Sequence, residues 1–422
     1  MKRALITVIL GVTLGIFVAV MFLAADRMNQ LSKNTLTPVW PVRSIDTMKY
    51  SRDVAAQMLT DVSFDQTIDR QVHAIARTGA SHIAIATPYD EQFVPFLARW
   101  VKTARSYGLH IWFRGNFSGW EQWFNYPKIT REQHAKLLTS FLTKHGDLFV
   151  DGDIFTPCPE CENGGPGDPR QTGDLAGHRQ FLIREYRDAK TIFQTQGKHV
   201  AVGYDSMNYD VATEVMDPET TRALGGIVVI DHYVETPDKL DHDITKLAAS
   251  SGGKIVLGEM GYPIPDINGN ASDTDQATWL RTAFTLLSQN QNVMGINYWV
   301  NEGGSTSLWN GEGVAKPAVS VMTDFFHSQR LSGIVYSSDL KPIADARVQT
   351  NNEKTVSDAS GRFNIFIHPE DTTLRVVVGG YADTAIHINN TMKIQNIIMA
   401  ENTISPMYKI IDYIDRLYLN IF

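Results

Sequence analysis

The sequence predicts a mixed α/β protein: a (β/α)8 TIM barrel, then a small antiparallel β-sandwich, with a transmembrane helix at the N-terminus. Three observations support this prediction. Short apolar segments alternate with amphipathic helical patterns over residues 45–329, short alternating strands replace them over residues 330–401, and an uncharged, mostly apolar run occupies residues 4–25. A barrel of about 250 residues with a small second module fits the length of the chain.

The N-terminal run is long enough to cross a membrane as a helix, which takes about 20 residues. The basic pair Lys2-Arg3 precedes it and a charged pair follows it. Because basic residues stay on the cytoplasmic side, we expect residues 1–27 to be an uncleaved signal anchor and residues 28–44 a polar stalk. The expected localisation is the cell membrane, with a single pass and the C-terminal domains outside. A cleaved signal peptide, which would make the protein secreted, is the alternative.

The composition is that of a globular protein, with 43% hydrophobic and 20% charged residues. The net charge is −8 and no long run of lysine or arginine occurs. This argues against nucleic acid as a partner, because nucleic-acid binding depends on clustered cations. The two cysteines, Cys158 and Cys161, are too few for a disulfide framework. A local disulfide between them is favoured outside the cytoplasm, and free thiols are the alternative.

Eight predicted strands alternate with helices in the barrel region, and most are short, apolar and rich in β-branched residues, as strands covered on both faces should be. An open doubly wound sheet would need a glycine-rich phosphate-binding turn after its first strand. The segment Tyr50-Ser-Arg-Asp53 follows the first strand instead, which favours the barrel. The predicted strands are Ile45–Tyr50, His82–Thr87, Leu109–Arg114, Asp153–Thr156, Lys198–Tyr204, Ile227–His232, Lys254–Glu259 and Val293–Trp299.

Short strands separated by turn signals follow the barrel. The segments Ser332–Val335, Pro342–Val348 and Ser357–Phe363 are similar to those of the carboxypeptidase regulatory-like, or transthyretin-like, module. The resemblance implies a β-sandwich over residues 330–401 and no particular chemistry. The remaining residues, 402–422, have the pattern of an amphipathic helix that packs on its own protein, with an interfacial membrane helix as the alternative.

Carboxylates follow two of the predicted barrel strands, at the strand ends where catalytic groups of such barrels lie. Glu259 closes the seventh strand, and Glu160 and Glu162 follow the fourth. Strands four and seven face each other across the mouth of an eight-stranded ring. Two opposed carboxylates about 5–5.5 Å apart can cleave a glycosidic bond with retention of configuration, one as the nucleophile and the other as acid and then base.

Two segments carry a family resemblance. Gly258-Glu-Met-Gly-Tyr-Pro263 resembles the nucleophile motif of the clan A retaining glycoside hydrolases, and Pro159-Glu-Cys-Glu-Asn-Gly164 is similar to the acid/base motif of the same superfamily. The resemblance implies that Glu259 is the nucleophile and Glu160 the acid/base, with the second glutamate of the motif as the alternative. The chain departs from the family at Pro159, where the family has an asparagine that contacts the sugar 2-hydroxyl.

The same resemblance implies roles for residues at other strand ends. A histidine or tyrosine after the sixth strand hydrogen-bonds the nucleophile in this family, which His232 or Tyr233 can do here. An aromatic platform under the reacting sugar follows the eighth strand, where Tyr298 and Trp299 stand. Arg114 can hold the nucleophile ionised. The remaining predicted substrate-binding residues are Asn116, Trp120, Asn163 and Tyr204.

The sequence therefore predicts a retaining glycoside hydrolase that acts on a cell-surface or extracellular poly- or oligosaccharide. A non-catalytic glycan-binding or scaffold protein is one alternative, motivated by the departure at Pro159. A transglycosylase that uses the same carboxylates is another. No cofactor and no metal site is expected. The expected partners are the glycan and, through the N-terminal helix, the membrane, and the oligomeric state stays open.

Overall fold

The computed structural model describes residues 36–164, 168–388 and 396–402. These residues form two compact units, one of residues 40–327 and one that joins residues 36–39 to the described residues from 328 onward. The first strand of the chain, β1 (Leu36–Pro38), belongs to the second unit. The predicted signal anchor and the predicted C-terminal helix after residue 402 lie outside the described residues.

The expected localisation in a membrane needs correction. None of the helices in the described segments combines the length and the apolar character that crossing a membrane requires. This finding contradicts the predicted single-pass localisation. The apolar run that motivated the prediction, residues 4–25, lies outside the described residues.

Eight parallel strands form the sheet of the larger unit and confirm the predicted TIM barrel. They run in the order β5-β4-β3-β2-β9-β8-β7-β6, and a parallel bridge links Ile154 of β5 to Ala201, in the segment that leads into β6. At this bridge the Ala201 N–H donates to the Asp153 carbonyl at 2.8 Å. The strands are β2 (Val42–Asp46), β3 (His82–Ile85), β4 (His110–Phe113), β5 (Ile154–Phe155), β6 (Ser206–Asn208), β7 (Ile227–Asp231), β8 (Lys254–Met260) and β9 (Val293–Tyr298).

Two barrel strands differ from their predicted bounds. The first ends at Asp46 rather than at Tyr50, because Asp46 Oδ1 accepts the Met48 N–H at 2.7 Å and the chain turns into a short helix there. The fifth regular strand begins at Ser206 rather than at Lys198, because Gly203 has a φ of +89° and interrupts the extended backbone.

Helices surround the barrel sheet and bury one apolar face each. Thr130 and Ser272 begin two of them with capping boxes, in which side chain and backbone satisfy each other's free groups. The longer helices are Asp65–Ala76, Val94–Ser106, Arg131–Lys144, Leu175–Thr195, Pro237–Ser251, Asp273–Gln289 and Pro317–His327. The shorter α-helices are Met48–Ser51, Ala55–Met58, Ser118–Glu121, Pro169–Thr172, Tyr209–Val215, Pro218–Ala223 and Pro265–Asn268. Single 3-10 turns occupy Val62–Phe64, Glu91–Phe93, Trp123–Asn125, Gly146–Leu148 and Cys161–Asn163.

Apolar side chains fill the interior of the barrel below its mouth. The Trp112 and Tyr204 rings meet edge to face with centroids 5.5 Å apart, and side chains from the surrounding strands pack against them. Polar side chains therefore collect at the C-terminal ends of the strands, where the interior opens. The buried members of this cluster are Val42, Ala84, Trp112, Ile154, Tyr204, Val229 and Val256.

The second unit is a small β-sandwich, as predicted, with one core between two sheets. It differs from the prediction in one parallel pair, β10 (Gln329–Ser337) with β16 (Ile397–Met399). It also takes β1 from the segment expected to be a stalk, because Leu36 packs against the sandwich core. The first sheet is β1, β10 (Gln329–Ser337), β13 (Arg362–Ile367) and β16 (Ile397–Met399), and the second is β12 (Lys354–Val356), β11 (Arg347–Gln349), β14 (Thr373–Val377) and β15 (Thr384–His387).

Candidate active site

Arg114 lies in the barrel mouth and contacts side chains from four other strands. It follows β4 and is only 2% exposed. Its Nη1 donates to Asp46 Oδ2 at 2.7 Å and lies 3.2 Å from Glu259 Oε1. Its Nη2 donates to Ser206 Oγ at 3.1 Å and lies 3.5 Å from Asp231. The side chains converge because the C-terminal ends of all barrel strands open on one mouth.

The Arg114 guanidinium stays charged in this environment. Burial by itself lowers the pKa of Arg114, but the charges of Asp231, Glu259 and Asp46 outweigh burial and raise that pKa. A buried cation is stable only when anions and hydrogen-bond acceptors surround it. Asn297 completes the cluster, because its Nδ2 donates to Asp46 Oδ2 at 3.0 Å and to the Gly258 carbonyl at 2.8 Å.

Glu259, the predicted nucleophile, stands near the end of β8 and is 7% exposed. Its Oε2 accepts a hydrogen bond of 2.8 Å from the Tyr233 hydroxyl, and its Oε1 faces Arg114. Burial raises the pKa of Glu259 to about 7. The Arg114 charge and the Tyr233 hydrogen bond oppose this rise, and the negative charge of Glu160 adds to it. The carboxylate form is therefore available from neutral pH upward.

The glycines on either side of Glu259 make room for its neighbours. A Cβ at Gly258 would lie 2.6 Å from Asp231 Oδ1, and a Cβ at Gly261 would lie 2.4 Å from the Trp299 carbonyl oxygen. Any larger residue at either position would displace a side chain or the backbone of the mouth. The glycines of the Gly-Glu-x-Gly segment are thus explained by close packing around the carboxylate.

Asp231 is a second buried acid beside Glu259. It ends β7, and the register between β7 and β8 shifts where Asp231 pairs with Glu259. Burial and then the Glu259 charge raise the pKa of Asp231 well above its ordinary value, against the opposing charge of Arg114. Asp231, Glu259 and Arg114 therefore form one tightly coupled group of buried charges.

Tyr233, rather than His232, contacts the candidate nucleophile. His232 Nε2 lies 2.9 Å from Asp243 Oδ2, and its ring stacks on Tyr209 at 4.3 Å. The expectation that either residue could bond Glu259 is thus narrowed to Tyr233. Burial and the Glu259 charge raise the pKa of Tyr233 well above its ordinary value, which favours the hydroxyl form that donates to Glu259.

Trp299 follows β9 and stands beside the candidate nucleophile. Its half-buried ring meets the Tyr233 ring edge to face at 6.1 Å. Tyr298 points the opposite way, because successive residues of a strand face opposite sides. Its buried hydroxyl donates to the Thr306 carbonyl at 2.7 Å and accepts from Gln276 Nε2 at 3.1 Å. Tyr298 therefore packs the barrel wall, which corrects its predicted place in the sugar platform.

Glu160 lies in a short loop after β5 that the Cys158–Cys161 disulfide closes. This disulfide confirms the favoured pairing. Glu160 is half-buried and has a φ of 46°, in the left-handed region. Its N–H donates to the Ser206 carbonyl at 2.8 Å. Burial is the main cause of the raised pKa of Glu259, and the charge of Glu160 adds to it.

Glu162 is more enclosed than Glu160, at 2% exposed. Its Oε1 accepts the Asn208 N–H at 2.7 Å, which ties the loop to β6. Burial raises the pKa of Glu162 to about 7. Asn163, which follows it, is exposed, and its N–H donates to the Glu160 carbonyl at 2.8 Å.

Asn116 and Trp120, two predicted substrate-binding residues, support this loop from beneath. Asn116 is fully buried, and its Nδ2 lies 3.8 Å from Cys158 Sγ. Trp120 is 1% exposed, stacks on Phe181 at 5.3 Å and donates from its indole nitrogen to the Cys161 carbonyl at 3.2 Å. Neither side chain presents a free face to a sugar, and both predictions are corrected to packing roles.

Tyr204 also departs from its predicted role. It is 5% exposed and belongs to the apolar cluster inside the barrel, against Trp112. Burial raises the pKa of Tyr204 to about 12. The ring forms the floor below the mouth rather than a sugar-stacking surface.

Three acidic residues of the mouth, Asp46, Asp231 and Glu121, are not among the residues that the sequence predicts for the site. Asp46 went unnoticed because the first strand was predicted to run past it. Glu121 ends a short helix after β4, and the sequence has no strand-end signal there. Burial raises the pKa of Glu121 to about 7, the Glu160 charge adds to the rise, and the Arg52 charge opposes it. Within the described parts of the chain, no group of three or more His, Cys, Asp or Glu side chains could hold a metal ion.

No protein-family model and no curated protein matches the chain. Several solved structures are similar to it. Bacteroides uniformis β-glucuronidase 2, covalently bound to cyclophellitol-6-carboxylate aziridine, is 9% identical with a TM-score of 0.48, over 87% of this chain and 48% of that one. The β-glycosidase BGL167 is 13% identical with a TM-score of 0.45, over 68% and 96% of the two chains. The FMN-binding β-glucuronidase from Facaelibacterium prausnitzii L2-6 is 11% identical with a TM-score of 0.44, over 77% and 53%.

The chain spans about half the length of these two β-glucuronidases. Likenesses of this degree carry no argument about activity. The functional conclusion rests on the residues of the mouth themselves.

Proposed function

We propose that the protein is a retaining glycoside hydrolase that cleaves a poly- or oligosaccharide by double displacement, with Glu259 as the nucleophile and Glu160 as the acid/base. One observation carries the proposal. The Glu259 carboxylate, at the end of a barrel strand, is held by the Tyr233 hydroxyl and faces Arg114, and the Glu160 charge acts on it across the mouth. This arrangement suits paired-carboxylate catalysis at a glycosidic bond.

In the first step a Glu259 oxygen forms a bond to the anomeric carbon while the bond from that carbon to the leaving oxygen breaks. Protonated Glu160 gives its proton to the leaving oxygen, and a glycosyl ester on Glu259 results. In the second step Glu160 takes a proton from a water, whose oxygen attacks the anomeric carbon and releases Glu259.

We assign proton transfer to Glu160 and loop positioning to Glu162. One oxygen of Glu162 is already engaged by the Asn208 N–H, and its side chain is enclosed. Glu160 is half-buried, and its charge acts on Glu259, Glu121 and Asp231. An acid/base must reach both a leaving oxygen and a water, which favours the more accessible group.

The sugar that reacts rests on Trp299 in this proposal. The indole is half-buried and adjoins Tyr233, which itself holds Glu259. A flat apolar ring suits the C–H face of a pyranose. The fully buried Arg114 keeps the nucleophile paired with a cation before the ester forms.

A non-catalytic glycan-binding protein is the second candidate. Pro159 favours it, because the family has at that position an asparagine that contacts the sugar. A transglycosylase would share the site and differ only in the acceptor that replaces water.

The test compares reducing-sugar release from a broad glycan panel by the full chain, by Glu259→Gln and by Glu132→Gln, a control at an exposed glutamate on an outer helix. We expect Glu259→Gln to lose about 10³-fold or more of the activity and Glu132→Gln to keep it. NMR of the first-formed anomer should show retention, and product analysis separates hydrolysis from transfer. Equal activity in all three proteins would refute Glu259 as the nucleophile.

A further inference from the structure

Two neighbouring cations near the barrel mouth, Lys49 and Arg52, each lie over an indole ring. Lys49, in the helix that follows β2, places its Nζ 5.7 Å from the centroid of the Trp299 ring. Arg52 places its guanidinium carbon 4.6 Å from the centroid of the Trp123 ring. Stacking of cations on aromatic faces fixes their direction without neutralising their charge.

The two cations share a single carboxylate. Asp53 lies 3.0 Å from Lys49 and 2.9 Å from Arg52. The trio therefore carries one net positive charge. The side chains of Lys49 and Arg52 are 33% and 21% exposed, so both remain in reach of a ligand. Arg114 is not available for this purpose, because acids of the mouth enclose it.

Lys49 and Arg52 are linked, through their neighbours, to the candidate nucleophile and to the candidate acid/base. On one side, Lys49 adjoins Trp299, which adjoins Tyr233 and through it Glu259. On the other side, the Arg52 charge acts on Glu121, which in turn interacts with Glu160. A sugar held between the nucleophile and the acid/base would thus present one edge to the two cations.

We propose that Lys49 and Arg52 bind an anionic group, a carboxylate or a sulfate ester, on a sugar that rests against Trp299. The inference rests on the proposed function and specifies its substrate class as acidic glycans. Arg52 can offer paired N–H donors to a planar carboxylate or to sulfate oxygens, and Lys49 adds a point charge beside the ring.

The test uses binding rather than turnover. The full-length Glu259→Gln protein is titrated calorimetrically with oligogalacturonates, oligomannuronates and chondroitin sulfate oligosaccharides. Carboxyl-reduced and desulfated forms of the same oligosaccharides serve as neutral counterparts and distinguish the carboxylate from the sulfate. We expect at least one acidic oligosaccharide to bind about tenfold or more tightly than its neutral form. The preference should shrink as salt rises, since partly exposed charges are screened.

Three further changes, each in the Glu259→Gln background, test the residues. Lys49→Met and Arg52→Gln should each remove most of the preference for the acidic over the neutral form. Asp53→Asn should strengthen acidic binding, because it removes the competing carboxylate, and no folding defect would mimic that gain. The matched controls are Lys136→Met and Arg281→Gln. Lys136, like Lys49, pairs with an acid four residues away in the sequence, and Arg281 pairs with Asp324 at an exposed site.

Equal binding of acidic and neutral forms, a preference that survives Lys49→Met and Arg52→Gln, or no binding of any acidic oligosaccharide would each overturn the inference. The two proposals fail separately. If the parent protein cleaves only neutral glycans, the proposed anion site is refuted and the proposed hydrolase activity stands. If the parent protein, which retains Glu259, binds acidic glycans but never cleaves any glycan, the proposed hydrolase activity is refuted and the anion site stands.

Discussion

The Tyr233 hydroxyl donates a hydrogen bond of 2.8 Å to Glu259 Oε2, from a residue just past β7 to a residue near the end of β8. The bond favours the ionised carboxylate and thus opposes burial, which raises the pKa of Glu259 to about 7. Tyr233 also adjoins Trp299. One side chain therefore links the charge state of the candidate nucleophile to the ring on which the sugar is proposed to rest.

Tyr233→Phe should lower kcat/KM about 10- to 100-fold, because a hydrogen bond to a charged group is lost. The acidic limb of the pH profile of kcat/KM should move to higher pH, since the ionised form of Glu259 loses a stabilising donor. Tyr209→Phe is the control, because its hydroxyl donates to the Asp243 carbonyl at 3.4 Å, away from Glu259. An acidic limb that stays in place in Tyr233→Phe would contradict the assignment.

Arg114→Met should lower the free energy of unfolding by about 3–5 kcal/mol, because it leaves buried acids without their cation. The defect should be smaller in acid, where Glu259 becomes protonated and no longer needs the cation. Urea unfolding at two pH values measures both effects. Arg281→Met, at an exposed pair 3.0 Å from Asp324, should cost less than about 1 kcal/mol. A loss at Arg114 as small as that at Arg281 would show that the acids of the mouth do not depend on this cation.

The buried carboxyl group of Asp205 should make the free energy of unfolding fall as pH rises. Burial raises the pKa of Asp205 to about 8, partly offset by a hydrogen bond from the Cys158 N–H. In the unfolded chain this pKa is about 4. Between these values the folded state keeps a proton that the unfolded state releases, so the contribution of Asp205 to the free energy of unfolding falls as pH rises from about 4 to about 8.

Asp205→Asn should abolish this contribution, because the amide mimics the protonated acid and can still accept the Cys158 N–H. The variant should match the parent near pH 4 and exceed its stability above pH 8, by on the order of 1 kcal/mol or more. Urea unfolding across this range gives the comparison, with Asp188→Asn at a surface ion pair as the control. A difference that does not grow with pH would mean that Asp205 is ionised in the folded protein.

The hydrophobic pattern was sufficient to predict the barrel and the position of Glu259. Strands covered on both faces are apolar throughout, so their ends are visible in the sequence, and the residues just beyond them fall in the mouth. Asp46 was missed for a related reason, because the first strand was extended past it. The helix that starts at Met48 depends on a side-chain cap by Asp46, which the pattern of apolar residues does not show.

The aromatic residues show why the rest could not be predicted. Trp120 and Trp299 both follow barrel strands. Phe181, from a helix distant in sequence, stacks on Trp120 and buries it, whereas Trp299 is only half-buried. In the same way Asp243 and Tyr209 engage His232 and leave Tyr233 to bond the nucleophile. Such choices depend on tertiary neighbours that are remote in sequence, whereas strand periodicity is local.

The two glutamates of the loop after β5 can be told apart by leaving-group dependence. Glu160→Ala should cleave aryl glycosides with good leaving groups far better than glycans, because only poor leaving groups need the proton. Azide should accelerate its second step and give a glycosyl azide of retained configuration, since a small anion replaces the base-activated water. Glu162→Gln keeps the acceptor for the Asn208 N–H and should lose activity about equally on both substrate types, without azide rescue. Rescue of a Glu162→Ala variant, and none of Glu160→Ala, would exchange the two assignments and place the proton on the more enclosed carboxyl.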